Sequence, residues 1–204
     1  GGRPVPAGTP DDERYLLRVI KRTKRTLCVD KRRVYFAGYS GGARMASQMA
    51  CDHPAAMAAI APVAGLRAGV PSQTSGGAWA PDATTCKPRQ PVSVLAFHGT
   101  ADSTNPYPGN DDPRWGYGVE QALAAWARKD RCRRGPATRA IAPTADLLTY
   151  GSCRDEATVG LYRLEGGGHI WPGDPVTAGD APVDASALIL DFFADHRLPK
   201  PNRK

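Results

Sequence analysis

The chain has 204 residues, of which 41% are hydrophobic and 23% charged, and its net charge is +7 at neutral pH. These values are ordinary for a globular protein and suit one domain over residues 1–204 with a sizeable core. No apolar run approaches the roughly 20 residues that a membrane span requires, so we expect no transmembrane segment. Basic residues are bunched in 18–25, 31–33 and the tail, but no nucleic-acid motif accompanies them. We therefore interpret these runs as solvated surface and expect no nucleic-acid partner.

The N-terminal part of the sequence predicts a helix followed by a strand. Thr9 is the expected N-cap and Pro10 the first helical residue, with acidic residues in the first turn. Between residues 16 and 27, apolar side chains recur at steps of three and four, which is typical of one face of an amphipathic helix. Residues 33–39 are apolar and aromatic at strand-like density and contain no breaker before Gly38, which predicts a β-strand.

Residues 38–42, Gly-Tyr-Ser-Gly-Gly, match the pattern G-x-S-x-G and lie between this strand and a helix predicted from Ala43 to about Cys51. In this pattern a strand turns sharply into a helix, which strains the backbone at the serine and crowds the positions two before and two after it. The turn exposes the hydroxyl of Ser40 above the sheet edge, and the N–H of Gly41 points to the place where an oxyanion would form. The pattern is common by chance, but here the strand and helix that it requires are both present. Ser40 is therefore the predicted nucleophile and Gly41 a predicted oxyanion-hole donor.

Further strands and helices are predicted downstream from apolar runs and helical spacing. The predicted strands cover 57–65, 91–97 and 158–164, and the predicted helices cover 119–127 and about 185–196. Pro62 is expected to mark the end of the first of these strands because it cannot donate to a central ladder. Leu123 and Trp126 are expected to face the core. The segments 66–90 and 133–157 are predicted to be a long loop and an irregular region.

Strands that alternate with helices predict an α/β fold with a parallel sheet covered by helices on both faces. Such sheets place their chemistry at the carboxyl ends of the strands. Ser40, Asp102 and His169 each follow a different predicted strand at that end. Their order along the chain, serine then acid then histidine, is the order of the α/β-hydrolases.

The four histidines differ in how well they suit the role of general base. His53 precedes a proline at the far end of a helix, and His196 lies at another helix end away from the strand termini. His98 lies at a strand end, where we interpret it as packing that shapes the turn before Asp102. His169 follows three glycines, which allow its loop to bring the imidazole close to the serine, and it is the predicted base.

Asp102 is the predicted acid because it follows the end of the second predicted strand after the serine turn. The strand directly after the serine unit ends without a carboxylate. Asp111 and Asp112 lie in a polar segment where we expect them to be solvated, and Asp174 is too near His169 in sequence to stand beneath it easily. With this triad, His169 would take the proton of Ser40 as the serine attacks an ester carbonyl. No metal or organic cofactor is required.

The five cysteines form no C-x-x-C pair and have no histidine spacing suited to zinc, which favours disulfides in an exported protein. The odd count leaves one cysteine without a partner inside the chain. Cys28 precedes the first predicted strand, and Cys51 ends the helix that returns alongside it. Both are expected at the same end of the sheet, and a Cys28–Cys51 disulfide is predicted.

Three segments together resemble the secreted esterase family of short-chain polyhydroxyalkanoate (PHB) depolymerases and feruloyl esterases. They are Gly-Tyr-Ser-Gly-Gly-Ala-Arg-Met at 38–45, Phe-His-Gly-Thr-Ala-Asp at 97–102 and Gly-Gly-Gly-His-Ile-Trp-Pro-Gly at 166–173. The likeness covers residues 11–193, and the third segment is its most specific part. The resemblance implies an α/β-hydrolase fold and a secreted, disulfide-bonded serine esterase. Its expected substrates are polyhydroxyalkanoate-type polyesters or feruloyl and acetyl esters of plant polysaccharide.

The resemblance also implies roles for individual residues. The serine, aspartate and histidine of the three segments form the family's triad, which carries over to Ser40, Asp102 and His169. The tryptophan beside the histidine lines the substrate cleft in such enzymes, which points to Trp171; a plain hydrophobic anchor is the other interpretation of this residue.

Members of this family carry an earlier region with several strands and a His-Gly turn that donates the second oxyanion-hole N–H, and residues 1–32 do not match it. We therefore expect this chain to correspond to the C-terminal portion of such an enzyme. Residues 34–39 would then form an exposed sheet edge open to a missing N-terminal segment or a second chain. Cys86 would have its partner outside the chain, and Cys132–Cys153 would be the remaining pair. The alternative function is a catalytically weak or inactive hydrolase-like domain with a binding role.

Overall fold

The structure, a computed structural model, describes residues 10–176 and 181–199 of the chain. Its helices are α1 (Asp12–Thr26), α2 (Gly41–Asp52), α3 (Val119–Lys129) and α4 (Ala185–Asp195). Its strands are β1 (Tyr35–Tyr39), β2 (Ala59–Val63), β3 (Pro71–Gln73), β4 (Trp79–Pro81), β5 (Ser93–Gly99), β6 (Arg134–Ala142), β7 (Ala145–Gly151) and β8 (Val159–Leu164). None of the helices in these ranges is long and apolar enough to cross a membrane.

Six strands form one sheet in the order β1-β2-β5-β8-β7-β6. The first four strands are mutually parallel, whereas β7 and β6 continue the sheet in antiparallel pairing. The carboxyl ends of β1, β2, β5 and β8 therefore meet at one edge of the sheet, as the sequence predicted. Within the described residues, β1 occupies one side of this sheet and β6 the other.

Side chains of the central strands alternate between two cores, one on each face of the sheet. In β5, Val94 and Ala96 belong to the core beneath α2 and α3, and Leu95 and Phe97 belong to the core beneath α4. Because successive strand residues point to opposite faces, both faces of the sheet are apolar. Helices cover the sheet on both sides. This confirms the predicted α/β architecture. Full burial of a valine, leucine or phenylalanine side chain stabilises a fold by roughly 1.5–3 kcal/mol.

The helices bury what their sequences predict, with one exception in α1. Leu123 and Trp126 of α3 are 1% and 0% exposed, as expected for core residues. Helix α1 buries no residue completely, and it contacts the core through Leu16 and Leu17. Leu27, expected on the same apolar face, is 62% exposed because α1 ends at Thr26 and the chain leaves the helix there. The predicted N-cap Thr9 lies outside the described residues, and the N-cap of α1 is Asp11.

Pro62 lies inside β2 and does not mark its end. It pairs with Gly38 in the register between β1 and β2. On the other side, the register between β2 and β5 pairs Ile60 with Val94 and then resumes at Val63 with Phe97. Since proline has no N–H to donate, the ladder skips this position and the strand continues for one more residue.

Two hairpins lie in segments that the sequence predicts to be loops. Strands β3 and β4 pair within 66–90, and β6 and β7 pair within 133–157. The first seven residues of β6 are all exposed, so the strand has no buried face and its sequence shows no apolar alternation. Periodicity detects a strand through its buried face, and an exposed edge strand gives no such signal.

The disulfides differ from the prediction at Cys28. The structure contains Cys51–Cys86 and Cys132–Cys153, and Cys28 is exposed with a free thiol. The second pair confirms the prediction. The predicted Cys28–Cys51 pair is wrong, and so is the expectation that Cys86 has its partner outside the chain. Lying at the same end of the sheet does not bring two residues into contact: Cys28 follows α1 in an exposed segment, while Cys86 is 1% exposed beside the end of α2.

The Cys51–Cys86 bridge is expected to stabilise the fold substantially. It spans 35 residues of sequence, and the chain-entropy estimate for a loop of this size is about 4 kcal/mol. The double substitution Cys51→Ala/Cys86→Ala should therefore lower the free energy of unfolding in urea by about 3–4 kcal/mol, whereas Cys28→Ala should leave it within about 0.5 kcal/mol. Non-reducing peptide mapping that recovers a Cys28–Cys51 peptide would contradict this pairing.

Candidate active site

Ser40 occupies the sharp turn between β1 and α2. Its backbone has φ 54° and ψ −112°, a conformation that is strained for a residue with a side chain. The turn is held by the Ser40 N–H, which donates to the Val63 carbonyl at 2.9 Å. A Cβ at Gly38 would lie 2.3 Å from the backbone of Gly42, and a Cβ at Gly65 would lie 2.6 Å from the Ser40 carbonyl oxygen. The backbone is therefore packed too closely for side chains at these two glycines.

Gly42 does not have the steric role that the sequence pattern suggests. A Cβ at this position would meet nothing within 4 Å outside its own helix, so the crowding acts on Gly38 alone. Gly41 is the first residue of α2, and the first N–H groups of a helix have no partner inside it. Its N–H is thus in a suitable position to bind an anion at the turn.

Asp102 and His169 are in direct contact. Asp102 lies in the turn after β5, His169 follows β8, and the His169 Nδ1 atom is 2.8 Å from the Asp102 Oδ2 atom. The Asp102 side chain is 0% exposed and that of His169 is 18% exposed. The two loops are joined by their backbones as well, because the Ala101 N–H donates to the Gly167 carbonyl at 2.9 Å. A Cβ at Gly99 would lie 2.1 Å from that same carbonyl oxygen, which explains the glycine at this position.

The Asp102 carboxylate accepts hydrogen bonds on both of its oxygens. Oδ1 accepts from the backbone N–H groups of Thr104 and Asn105 at 2.9 and 2.8 Å, and Oδ2 accepts from His169 and from His98. Burial alone would raise the pKa of Asp102. The hydrogen bonds from His98, His169 and the Asn105 N–H outweigh this effect and lower the pKa to about 2. Asp102 is therefore ionised at neutral pH and acts only as an acceptor.

His98 contacts the acid rather than merely shaping its turn. Its Nε2 atom is 3.1 Å from Asp102 Oδ2 and 2.9 Å from the Asn105 carbonyl oxygen. Both partners are acceptors, so Nε2 must carry the proton. The Nδ1 atom is buried and has no hydrogen-bond partner among the described residues. The interpretation of His98 as packing missed this donor; the four-residue spacing from His98 to Asp102 was its sole sequence signal.

Tyr39 links the serine turn to the histidine loop. Its hydroxyl donates to the His169 carbonyl at 2.7 Å, and the two rings are 4.9 Å apart between centroids. Tyr39 therefore brings the end of β1, just before Ser40, into contact with the loop that carries His169. In the part of the chain that the structure describes, the Ser40 hydroxyl makes no hydrogen bond to His169. Catalytic hydrogen bonds are often long before substrate binds.

Trp171 packs against the core beneath α4. Its Nε1 donates to the Ser186 hydroxyl at 3.0 Å, and its side chain is half-buried. The structure thus gives Trp171 the contacts of an anchor for the loop after His169. Its role toward substrate stays a prediction.

The alternative candidates from the sequence lie in other environments. His53 contacts Glu13 of α1 at 3.0 Å, and His196 contacts Thr158 at 2.9 Å. Asp112 pairs with the exposed Arg114. Across residues 10–176 and 181–199, no three His, Cys, Asp or Glu side chains are grouped so that they could hold a metal ion.

The proteins that are similar to this chain in sequence are named esterases, and so are the solved structures that are similar to it in fold. No family model matches the chain. Feruloyl esterase B of Piromyces equi is 30% identical over 165 residues, and a protein named putative esterase NocK, of Nocardia uniformis subsp. tsuyamanensis, is 27% identical over 216 residues. These matches cover 78% and 94% of this chain but 29% and 58% of the two relatives. The chain thus spans less than two thirds of either protein.

Two solved structures resemble the fold. An acetyl xylan esterase from Aspergillus awamori has a TM-score of 0.57 at 16% identity, covering 90% of this chain and 67% of its own. A thermostable esterase has a TM-score of 0.53 at 12% identity, covering 93% of this chain and 38% of its own. Together with the mostly parallel sheet and its covering helices, they identify the fold as that of the α/β-hydrolases.

The donation from His98 to Asp102 can be tested by titration. His98→Leu removes the donor, and the pKa of Asp102 should rise from about 2 by about one pH unit. His98→Gln keeps an N–H at the Nε2 position and should retain more of the low pKa. Carbon-13 NMR of the Asp102 carboxyl carbon measures both values.

The same substitution predicts a pH dependence of stability. A carboxyl whose pKa is lower in the folded than in the unfolded chain adds stability above the unfolded pKa, and loses it as pH falls through the folded pKa. The stability difference between His98→Gln and His98→Leu should thus be largest above about pH 4 and shrink toward pH 2. Equal carboxyl titrations in the two variants would contradict a hydrogen bond from His98.

Proposed function

We propose that the chain is a carboxylic-ester hydrolase in which Ser40 is the nucleophile, His169 the general base and Asp102 the acid. The observation that carries this proposal is the 2.8 Å contact between His169 Nδ1 and the buried Asp102 carboxylate, next to a strained serine turn at the same sheet edge. The esterase names of the similar proteins support the reaction class.

The contacts of His169 favour the tautomer that catalysis needs. Asp102 is ionised and accepts a hydrogen bond from Nδ1, so the Nδ1 atom carries the ring proton in neutral His169. The Nε2 atom then has a free lone pair. It takes the proton of the Ser40 hydroxyl as the oxygen attacks the ester carbonyl, and Asp102 stabilises the imidazolium that forms.

The remaining steps use the same groups. The Gly41 N–H donates to the oxyanion of the tetrahedral intermediate. As this intermediate collapses, the ester C–O bond breaks and the His169 imidazolium gives its proton to the leaving alkoxide. Water then attacks the acyl-enzyme with His169 again as base, which releases the carboxylic acid and restores the Ser40 hydroxyl.

The proposed substrates are feruloyl or acetyl esters of plant polysaccharide, with Trp171 lining the cleft. The relatives named feruloyl esterase B and acetyl xylan esterase support these acyl groups. Polyhydroxyalkanoate is retained as a second substrate class on the resemblance of the three sequence segments. We also propose that the protein is secreted, because two disulfides suit an oxidising compartment.

The reaction class can be tested with p-nitrophenyl acetate and p-nitrophenyl butyrate. Wild type should hydrolyse both, and Ser40→Ala should lower kcat by a factor on the order of 10⁴–10⁶ because the nucleophile is lost. Ser75→Ala, in an exposed segment, is the matched control and should keep wild-type turnover. Hydrolysis that survives Ser40→Ala would mean that another residue is the nucleophile, and a folded but inactive wild type would favour the binding role.

The substrate class can be tested with three substrates in parallel. Methyl ferulate and acetylated xylan should both be hydrolysed faster than emulsified polyhydroxybutyrate. Release of ferulate, acetate and hydroxybutyrate, each followed by chromatography, gives the three rates. A preference for the polyester would move the assignment to depolymerases.

A further inference from the structure

Arg44 and Arg67 line one cavity of about 120 Å³ beside α2. Arg44, Ser47 and Gln48 form one stripe of the helix at spacings of three and four, and Arg67 faces them from the segment after β2. Both arginine side chains are half-buried. Two arginines therefore line the cavity, and one of them, Arg44, lies one helical turn from Ser40.

The contacts of the two arginines hold them at this cavity. The Arg67 guanidinium donates to the Trp115 carbonyl at 2.6 Å and lies 4.0 Å from the centroid of the Tyr117 ring. The Arg44 guanidinium lies over the Trp115 ring at 5.0 Å. A second Arg67 nitrogen donates to the Tyr117 carbonyl at 3.4 Å. One short segment, 115–117, thus positions both cations, and the stacking of Arg44 on an aromatic ring leaves the edge of its guanidinium group available for hydrogen bonds.

No carboxylate within the described residues forms an ion pair with Arg44 or Arg67. Asp52, the carboxylate at the end of α2, accepts a hydrogen bond from the Gln48 amide. Burial, and next the negative charge of Asp52, raise the pKa of Glu13 in α1. Burial lowers the pKa of Arg67; the Tyr117 hydroxyl opposes this, and the positive charge of Arg44 adds to it. Two half-buried like charges without a counter-charge are unfavourable, and a bound anion would relieve this repulsion.

The cavity begins close to Ser40 along helix α2. The Arg44 N–H donates to the Ser40 carbonyl at 3.2 Å, and four residues of helix rise about 6 Å. The net charge of +7 also attracts negatively charged substrates toward the surface. A guanidinium group can bind a carboxylate through two parallel N–H···O hydrogen bonds, and a carboxylate is an anionic group that an organic ester can carry.

We propose that Arg44 and Arg67 form a subsite for a carboxylate carried by the ester substrate, so that the enzyme favours esters with an acidic group close to the scissile bond. This inference rests on the proposed ester-hydrolase function. In this proposal the cavity selects anionic over neutral substrates, and the residues at Ser40 carry out the reaction.

The test compares p-nitrophenyl esters that are matched in chain length. The neutral butyrate, pentanoate and hexanoate esters are paired with the mono-p-nitrophenyl esters of succinate, glutarate and adipate. For at least one length, Arg44→Gln should lower the ratio of kcat/KM on the acidic ester to that on the neutral ester by about tenfold, mainly through KM. Arg44→Lys keeps the charge and should retain part of the preference.

Arg25→Gln is the matched control, since it removes one positive charge from an exposed helical position. It should keep the wild-type ratio, which separates a local subsite from the effect of net charge. A ratio that Arg44→Gln leaves unchanged at all three lengths, or that Arg25→Gln lowers equally, would overturn the proposal.

A binding measurement distinguishes failure of the subsite from failure of the reaction. In the Ser40→Ala variant, monomethyl succinate should raise the thermal unfolding midpoint more than dimethyl succinate does, and adding Arg44→Gln should abolish the difference. If wild type hydrolyses none of the esters, the proposed function fails and this measurement alone decides the subsite. Equal shifts by the two succinate esters would overturn it.

Discussion

The buried charge of Asp102 is the interaction on which the candidate site depends. A carboxylate with no exposed surface is stable as an anion only if donors surround it. Two donors come from the backbone of its own turn, and two come from His98 and His169. The His169 loop is thus held in place partly by its hydrogen bond to the buried Asp102 carboxylate. His98, on β5, donates the other side-chain hydrogen bond to the same carboxylate.

Close backbone approaches at the carboxyl ends of the strands make this contact possible. The backbone at Gly38 touches that of Gly42 within the serine turn, Gly65 touches the Ser40 carbonyl, and Gly99 touches Gly167. Each glycine allows two loops to pass at a distance that a side chain would prevent. The Asp102 and His169 loops therefore approach each other closely at Gly99 and Gly167, and the serine turn approaches the segment after β2 at Gly65.

The sequence predicts the buried parts of this protein better than its exposed parts. Strands β2, β5 and β8 are covered on both faces, and their apolar runs reveal them. Strand β6 has no buried face and escapes detection. Ser40, Asp102 and His169 stand out through local motifs and chain order, and the structure brings the last two together. His98 and Tyr39 were missed because a hydrogen bond to a residue on another loop, or to an acid at a turn, has no periodic signal.

The site and its surroundings are held by different kinds of contact. The serine turn and the loops that carry Asp102 and His169 are tied to the sheet by backbone hydrogen bonds, such as Ser40 N–H to Val63 and Thr100 N–H to Leu164. The segment around Trp115 has backbone hydrogen bonds within itself, such as Trp115 N–H to the Asp112 carbonyl, and it contacts α2 and the segment after β2 through the side chains of Arg44 and Arg67. Substitutions at Arg44 or Arg67 are therefore expected to leave the backbone hydrogen bonds of the serine turn and of the Asp102 and His169 loops in place. The proposed anion subsite and the proposed chemistry at Ser40 therefore depend on different contacts of the fold.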